Sequence, residues 1–304
     1  MPGDFERLGD ARRLVAGDLE AVFLPGRGML GASLRHHGVE LLRRVGDLET
    51  AAAKGSTAGI PFLHPWANRL EAWRYRAAGR AVVLDRASPL LHADGNGLPI
   101  HGVPWAHLSW EVVDAGASRI RARLSWDWPA LLAVFPFPHV VEIEAALSPE
   151  ALAVTTTLTA GPEGPVPVSF GFHPYLGIPD APRAAWRLEL PAMRRLRLDG
   201  RGIPDGGEEP FTAFDAPLGA RVFDDGFAVA APHAAFVVSG AGRRIAVELL
   251  EGFRFAQVYA PAADALLALE PMTAPTDALV SGRGLTLVSP GERFRAAFRI
   301  GVSS

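Results

Sequence analysis

Residues 119–126 read Arg-Ile-Arg-Ala-Arg-Leu-Ser-Trp, and residues 152–159 read Leu-Ala-Val-Thr-Thr-Thr-Leu-Thr. Apolar and polar side chains alternate in both stretches, which is the period-two pattern of a half-buried β-strand. Threonines and β-branched residues fit a pleated surface better than a helix, where crowding at χ1 costs them free energy. The same pattern recurs at residues 186–190 and 294–302. These stretches predict that strands dominate the fold.

Glycine and proline punctuate the chain at intervals of roughly eight to twelve residues, the spacing expected of a large sandwich or barrel. The Gly/Pro-rich stretches at 160–167 and 199–207 are too short for tethers and are predicted to be loops between strands. Weak helical alternatives exist only at residues 5–13 and 39–47. With no linker and no fixed repeat, we expect a single all-β domain over residues 1–304.

The composition excludes several classes of function. The 304 residues carry a net charge of −3 and no Lys/Arg-rich block, so neither nucleic acid nor an anionic membrane is an expected partner. There is no cysteine, which excludes disulfides, thiolate nucleophiles and Cys-based metal sites. The N-terminus lacks a signal pattern and no run approaches the ~18 apolar residues of a membrane span, which favours a cytoplasmic protein. Lys54 is the single candidate for a Schiff base.

Gly26-Arg-Gly28-Met-Leu-Gly31 matches the dinucleotide-binding pattern, with an acidic residue about twenty positions further on. A nucleotide site needs a helix that begins at this turn and holds the pyrophosphate at its N-terminus. Residues 32–42 instead have the pattern of a strand, a turn at Gly38 and a second strand. We therefore predict no dinucleotide cofactor here.

The nine histidines form no i, i+4 pair of the kind that binds zinc on a helix, and the chain has neither a Gly-x-Ser-x-Gly elbow nor a P-loop. Acid–base chemistry is what remains. Four segments place polar side chains among apolar and aromatic ones, where a rigid scaffold usually presents a site. They contain Trp66, Asn68 and Arg69; His101; His173 and Tyr175; and Glu270.

Each of these residues also has an ordinary structural interpretation. Arg69 could bond loop carbonyls at the surface, and His101 could cap a turn. His173 could be a core histidine satisfied by a backbone carbonyl, although its aromatic neighbours would shift its pKa by desolvation. Glu270 ends an apolar run, where an unpaired carboxylate is costly unless it is exposed or used.

Taken in order, these segments resemble the aldose 1-epimerase (galactose mutarotase-like) family. The matching motifs are Asn68-Arg69-Leu70, His101-Gly102, His173-Pro-Tyr175, Asp224-Asp225-Gly-Phe227, Gln257-Val-Tyr259 and Leu269-Glu270-Pro271. The combination is far more specific than any single piece, and it spans nearly the whole chain.

The resemblance implies a single-domain β-supersandwich with a sugar site that needs no metal or organic cofactor. It implies that Glu270 is the base that takes the anomeric proton and that His173 is the acid that protonates the ring oxygen. Arg69, His101 and Asp224 would hold sugar hydroxyls, Asn68 and Gln257 would belong to the same substrate site, and Trp66 and Tyr175 would contact the apolar face of the sugar. Whether Asp224 or Asp225 is the sugar-binding acid is left open by the sequence.

The chain departs from the family pattern beside these motifs. His64-Pro65 and Phe172 replace the usual Gly-Arg and Asn, and the block after Glu270 lacks the usual Asn, which is typical of a divergent bacterial branch. The acid–base pair is retained while the sugar stays open. The alternatives are a hexose-6-phosphate 1-epimerase, in which arginines would converge on the phosphate, and a non-catalytic sugar-binding module on the same fold.

Overall fold

The structure is a computed structural model that describes residues 10–43 and 47–304. Strands account for most of the regular structure in these residues, which confirms the all-β prediction. They are β1 (Arg12–Ala16), β2 (Leu19–Leu24), β3 (Leu30–His36), β4 (Val39–Glu40), β5 (Phe62–Leu63), β6 (Arg74–Ala77), β7 (Arg80–Val83), β8 (Glu111–Ala115), β9 (Arg119–Trp126), β10 (His139–Leu147), β11 (Ala151–Ala160), β12 (Val166–Val168), β13 (Gly171–Phe172), β14 (Tyr175–Leu176), β15 (Arg187–Leu190), β16 (Met193–Leu198), β17 (Pro204–Phe211), β18 (Phe214–Pro217), β19 (Phe223–Ala228), β20 (Ala235–Gly240), β21 (Arg243–Glu251), β22 (Phe255–Ala260), β23 (Leu267–Met272), β24 (Thr286–Val288) and β25 (Arg293–Ser303). The helices are short: α1 (Leu48–Ala53), α2 (Pro129–Val134) and α3 (Ala278–Ser281).

The largest sheet has the order β18-β15-β20-β21-β25-β11-β10-β9-β8, and its strands pair antiparallel. Burial alternates strictly along β10 and β11, so one face packs on the core and the other faces solvent. Leu124, Val141 and Leu158 are cross-strand neighbours on the inner face. All four stretches predicted as strands from their alternation lie in this sheet, in β9, β11, β15 and β25.

The second large sheet has the order β17-β16-β19-β22-β23-β13-β5, with β14 also paired to β23. Its centre is buried on both faces, because every residue of β23, β13 and β5 is buried. Smaller sheets comprise β1 to β4, the β6–β7 hairpin and the β12–β24 pair. The main cluster of buried apolar residues draws on both large sheets and extends from Leu14 to Val302. That residues 1–304 form one domain stays a prediction.

Several local expectations were wrong. Of the two helical alternatives, Arg12 and Arg13 lie in β1 and Val39–Glu40 forms β4, while residues 5–9 and 44–46 lie outside the described part of the chain. The predicted loop at 199–207 is only a short turn. The Asp199 side chain accepts hydrogen bonds from the amides of Arg201 and Ile203, and β17 begins at Pro204.

Gly26 and Gly28 lie in the turn between β2 and β3, where the dinucleotide-binding pattern would need a helix to begin. The described chain passes from β2 through a turn into β3, with no helix between them. Gly28 has φ 72°, and a Cβ there would lie 2.5 Å from the carbonyl oxygen of Trp105. The glycine therefore permits a close backbone approach at a left-handed position.

Candidate functional site

His173 and Glu270 face each other across the centre of the second sheet. Gly171 pairs with Met272 and Tyr175 pairs with Ala268, so the antiparallel register places His173 opposite Glu270. The distance between His173 Nε2 and Glu270 Oε1 is 3.2 Å. Glu270 lies inside β23 rather than at the end of a strand, and only 3% of its surface is exposed. The two residues form what we call the central pair.

The strand on the other side of β23 supplies two further polar groups. Gln257 of β22 pairs directly with Glu270, and its side-chain amide donates a 2.7 Å hydrogen bond to Asp224 Oδ1. Neighbouring residues of a strand point to opposite faces, so the Asp225 side chain points away from that of Asp224. It lies 3.7 Å from Arg195. Residues 224–227 are part of β19, held by its pairing with β22. Asp224, rather than Asp225, is therefore the acid on the side of the central pair.

Asn68 and His101 join two loops at the edge of the site. The amide of Asn68 donates to His101 Nδ1 at 3.2 Å, and the amide of His101 donates to the Asn68 carbonyl at 2.9 Å. Because Nδ1 accepts, the proton of the neutral His101 ring is on Nε2. The ring is 5.5 Å from that of His173, edge to face. Asn68 and His101 have positive φ angles, 57° and 62°, so the junction of the two loops depends on a left-handed backbone at each residue.

Arg69 is fixed by short-range contacts around its backbone and guanidinium. The Asn68 side-chain oxygen accepts from its amide at 2.8 Å and from its Nη1 at 3.2 Å. Its Nε donates to Asp94 Oδ2 at 2.7 Å, and the Asp94 carboxylate is itself held by the amides of its own turn. The Arg69 side chain is 19% exposed, which leaves it accessible while oriented.

A second clamp on Arg69 comes from Asp277, at the start of α3. The Asp277 amide donates to the Arg69 carbonyl at 2.9 Å, and its Oδ1 accepts from the amide of Glu71 at 2.8 Å. Asp277 is buried and has φ 69°. Burial raises the pKa of the Asp277 carboxyl to about 6, against a hydrogen bond from Glu71 that lowers it.

Burial shifts the two members of the central pair in opposite directions. It raises the pKa of Glu270 well above its ordinary value; Asp224 raises it further and Arg69 opposes both. Burial lowers the pKa of His173 to about 3. It also lowers the pKa of His101 well below the usual range, with the charges of His173 and Arg69 acting in the same direction. Within residues 10–43 and 47–304, Glu270 Oε2 and His173 Nδ1 have no hydrogen-bond partner.

An open cleft of about 400 Å³ adjoins the central pair. Tyr175 stacks on His173 with the ring centres 4.2 Å apart, and Tyr259 lies 6.3 Å from the same ring. The Tyr175 hydroxyl is 2.5 Å from that of Thr57. The remaining wall comes from α1, the loop after it and the segment before β23, which contribute Arg43, Thr50, Ala51, Lys54, Gly55, Ser56, His92, Asp94, Ile100, His101, Asp264 and Leu266.

Most of the predicted site residues lie together in the structure, and one lies elsewhere. The residues that converge are Glu270, His173, Arg69, His101, Asn68, Asp224, Gln257 and Tyr175. Trp66 is fully buried and packs in the core, 6.4 Å from the ring of Tyr75, rather than lining the cleft.

Sequence reasoning gave no site role to four residues that shape the site, although Tyr259 belongs to the Gln257-Val-Tyr259 motif. Tyr259 could have been found, because it lies two positions after Gln257 on the same face of β22. Asp94, Thr57 and Asp277 give no such signal, since they act through loop contacts. No group of three or more histidine, aspartate or glutamate side chains in the described chain could hold a metal ion. None of its helices is long and apolar enough to cross a membrane.

Comparisons with known proteins identify the family and the fold of the chain. A family model described as aldose 1-epimerase matches residues 30–301. No curated protein matches the chain. The Slr1438 protein of Synechocystis sp. PCC 6803 is 24% identical, with 96% of this chain and 95% of that one covered and a TM-score of 0.80.

Two further structures extend the likeness. A galactose mutarotase-like protein of Clostridium acetobutylicum is 16% identical over 96% of this chain and 94% of its own, with a TM-score of 0.82. The GalM/aldose epimerase homologue of C. elegans is 14% identical over 96% and 98%, with a TM-score of 0.79. At these identities the likeness shows the fold alone, and it confirms the predicted galactose mutarotase-like fold. Because the family model spans residues 30–301, the chain belongs to the aldose 1-epimerase family.

Proposed function

We propose that the protein is an aldose 1-epimerase that interconverts the α and β anomers of a sugar by acid–base ring opening, with Glu270 and His173 as its catalytic pair. The observation that carries the proposal is the central pair itself. Two buried, titratable groups lie 3.2 Å apart beside an open cleft, and one polar atom of each, Glu270 Oε2 and His173 Nδ1, is left without a partner in the described chain. Groups of this kind in a cleft are typical of functional sites.

The reaction needs one proton removed and one delivered at two oxygens bonded to the same carbon. The Glu270 carboxylate takes the proton of the anomeric hydroxyl while the His173 imidazolium donates its proton to the ring oxygen. The bond between the anomeric carbon and the ring oxygen breaks, its electron pair stays on the ring oxygen, and an open-chain aldehyde forms. The pair holds one proton before the step, on His173, and one after it, on Glu270, so no external proton donor is required.

Ring closure then runs the same transfers in reverse. Rotation of the aldehyde by half a turn presents its other face to the ring hydroxyl, and closure gives the opposite anomer. Every proton in the cycle has a side chain that gives or receives it, so the mechanism calls for no cofactor.

Burial of the pair suits this exchange. An imidazolium whose pKa is lowered is a stronger acid toward the ring oxygen than an imidazolium in water. A carboxylate whose pKa is raised is a stronger base toward the hydroxyl than a carboxylate in water. Because the groups are in contact, they titrate as a pair. A bell-shaped pH dependence of the turnover rate follows from the need for one proton on the pair.

The surrounding residues would orient the sugar. Arg69, held by Asn68 and Asp94, presents guanidinium hydrogens, and His101 presents Nε2–H. Asp224, hydrogen-bonded to Gln257, offers an acceptor. Tyr175, stacked on His173, gives an apolar face to the C–H groups of a ring.

Polarimetry or NMR of freshly dissolved α-anomers tests the proposal. We expect the protein to accelerate anomerisation of at least one common aldose, and Glu270→Gln and His173→Gln each to lose roughly 10²–10⁴-fold, the usual contribution of a positioned acid or base. Glu142→Gln, on β10 away from the cleft, is the matched control and should keep full activity. Full activity in Glu270→Gln would overturn the assignment. Sugar binding without turnover would identify a non-catalytic binding module instead.

A further inference from the structure

The chain contains the same short turn twice. Residues 94–99 read Asp-Gly-Asn-Gly-Leu-Pro, and residues 199–204 read Asp-Gly-Arg-Gly-Ile-Pro. In each turn Oδ1 of the aspartate accepts from the amides two and four positions later, at 2.8 and 2.9 Å in the first and at 2.8 and 3.0 Å in the second. The aspartate amide donates to the carbonyl four positions later, at 2.9 and 2.8 Å. We call these two segments the twin turns, because they share one hydrogen-bond pattern.

The twin turns meet at the guanidinium of Arg69. In the first turn, Oδ2 of Asp94 accepts from Arg69 Nε at 2.7 Å. In the second, Gly202 has φ 79°, and a Cβ at this position would lie 3.2 Å from Arg69 Nη1 and 3.5 Å from Cζ. The first of these distances is shorter than the roughly 3.5–4.0 Å of an ordinary contact between heavy atoms. Gly202 therefore leaves the space that the end of the Arg69 side chain occupies.

These contacts engage two of the three guanidinium nitrogens. Nε donates to Asp94, and Nη1 donates to the Asn68 side-chain oxygen at 3.2 Å. Within residues 10–43 and 47–304, Nη2 makes no hydrogen bond. The Arg69 side chain is partly exposed, and Asp94 lines the cleft. Nη2 is therefore the nitrogen that keeps both of its hydrogens for a bound molecule.

We propose that the twin turns position Arg69 for the sugar: Asp94 holds its Nε edge, Gly202 provides the space for Nη1 and Cζ, and Nη2 is thereby presented to a sugar hydroxyl. Asp94 and Gly202 are then positioning residues that act through Arg69. The inference rests on the proposed function, because it takes the molecule bound in the cleft to be a sugar. A guanidinium already fixed by the protein loses little conformational freedom on binding, which lowers the free-energy cost of binding.

The kinetic test makes one substitution in each turn and measures anomerisation by NMR. We expect Asp94→Asn to raise KM roughly tenfold with kcat nearly unchanged. Asparagine keeps an oxygen for the two amides of the turn but loses the charged acceptor for Arg69 Nε. Gly202→Ala should raise KM several-fold, again with kcat nearly unchanged, because its Cβ displaces the guanidinium while the acid and the base keep their places.

Each substitution has a matched control away from the cleft. Asp85 also caps a turn, where its Oδ1 accepts from the amide of Ala87 at 2.9 Å, so Asp85→Asn should keep the wild-type KM. Gly79 has φ 78°, and an added Cβ there would meet nothing within 4 Å. Gly79→Ala therefore reproduces the backbone strain of Gly202→Ala without its steric contact, and it should also keep the wild-type KM.

Double variants show whether the effects pass through Arg69. In an Arg69→Ala background, Asp94→Asn and Gly202→Ala should lower kcat/KM no further. A wild-type KM in both single variants, or an undiminished effect in the Arg69→Ala background, would overturn the proposal and leave the proposed function intact. An effect in only one variant would assign the positioning to that turn alone and overturn the joint role of the twin turns. An equal effect in Gly79→Ala would overturn the role of Gly202.

An activity-independent measurement decides where no sugar is turned over, the outcome that would defeat the proposed function itself. NMR of the arginine Nε–H groups reports on Arg69 directly, with its signal assigned by its absence from Arg69→Lys. We expect this signal to shift in Asp94→Asn and in Gly202→Ala and to stay in place in both control variants. An Arg69 signal that is unchanged by both substitutions would show that the twin turns do not position the guanidinium.

Discussion

Two of the places where the protein buries histidine rings differ in how the polar atoms of those rings are satisfied. In the first, His64 Nε2 and His139 Nε2 lie 2.9 Å apart, and His139 Nδ1 is 2.6 Å from the Phe137 carbonyl. Because Nδ1 donates to that carbonyl, His139 Nε2 accepts the proton of His64. Only His64 Nδ1, an acceptor in this arrangement, has no partner among the described residues. In the second, His173 faces a carboxylate beside an open cleft.

The comparison of the two pairs shows that burial of a histidine does not by itself indicate a functional site. Burial lowers the pKa of His64 well below its usual range, lowers that of His139 to about 4 and lowers that of His173 to about 3. A shifted pKa alone would therefore not distinguish the core pair from the central pair. The core pair is enclosed by aromatic rings, with Trp126 stacked on His139 at 5.5 Å. Of the two pairs, the central pair is the one that lies beside an open cleft.

Removing one member of the core pair should produce the largest effect on stability with no effect on chemistry. We expect His139→Ala to lower the free energy of unfolding by about 2–5 kcal/mol, because it leaves a cavity among aromatic rings and takes away the partner of His64. The turnover rate per folded molecule should equal that of the wild type. Urea denaturation and anomerisation assays on the same sample measure both. A His139→Ala protein that folds normally but is inactive would show that the core pair serves the reaction.

The contrast between the two regions also explains what the sequence could predict. Strands of the nine-stranded sheet are exposed on one face, so β9 was placed at its observed bounds from alternation alone. β23 is buried on both faces and has no alternation, so its extent past Glu270 was missed. The opposition of His173 and Glu270 depends on the register between strands far apart in the chain. Spacing carries no information about that register, and the family resemblance supplied the pair.

Residues that act through loop contacts were beyond prediction for a different reason. Asp94 stands in an Asp-Gly-Asn-Gly stretch that predicts a turn whether or not an arginine is nearby. Its contact with Arg69 follows from how two loops meet. Trp66 was expected at the sugar because an aromatic residue beside Asn68 and Arg69 fits a binding wall. The structure shows that it packs in the core with Tyr75, in agreement with the more ordinary role of a large aromatic side chain.

The buried histidines should make the fold sensitive to acid. His64, His101 and His139 are held neutral by burial, so the unfolded chain binds more protons than the folded one between an unfolded pKa of about 6.5 and the lowered folded value. The contribution of these neutral histidines to the free energy of unfolding is fully present above pH 6.5 and is lost as the pH falls toward 4. The raised pKa values of Glu270 and Asp277 act in the opposite sense and offset part of this loss.

Denaturation at pH 7, 6 and 5 measures the slope of the free energy of unfolding against pH. The double variant His64→Asn/His139→Asn should reduce the slope by up to about 1.4 kcal/mol per pH unit for each histidine removed. The slope rather than the absolute stability is compared, so the stability lost through the substitutions does not affect the result. His107→Gln, at an exposed histidine, is the control and should keep the wild-type slope. An unchanged slope in the double variant would mean that the core pair is not held neutral.

The smallest effect is expected at Asp277, which touches neither member of the central pair but holds the Arg69 carbonyl and the amide of Glu71. We expect Asp277→Ala to raise KM several-fold with kcat nearly unchanged, because Arg69 loses its fixed position while the acid and base keep theirs. Asp277→Asn keeps the acceptor for the Glu71 amide and accommodates the φ of 69°, so it should restore the wild-type KM. Asp277→Gly removes the acceptor but not the left-handed backbone, and it therefore separates the hydrogen bond from strain. If Asp277→Gly matches the wild type, the carboxylate does not position Arg69; if Asp277→Ala lowers kcat instead of raising KM, the loop around Arg69 supports the acid–base pair as well as the sugar.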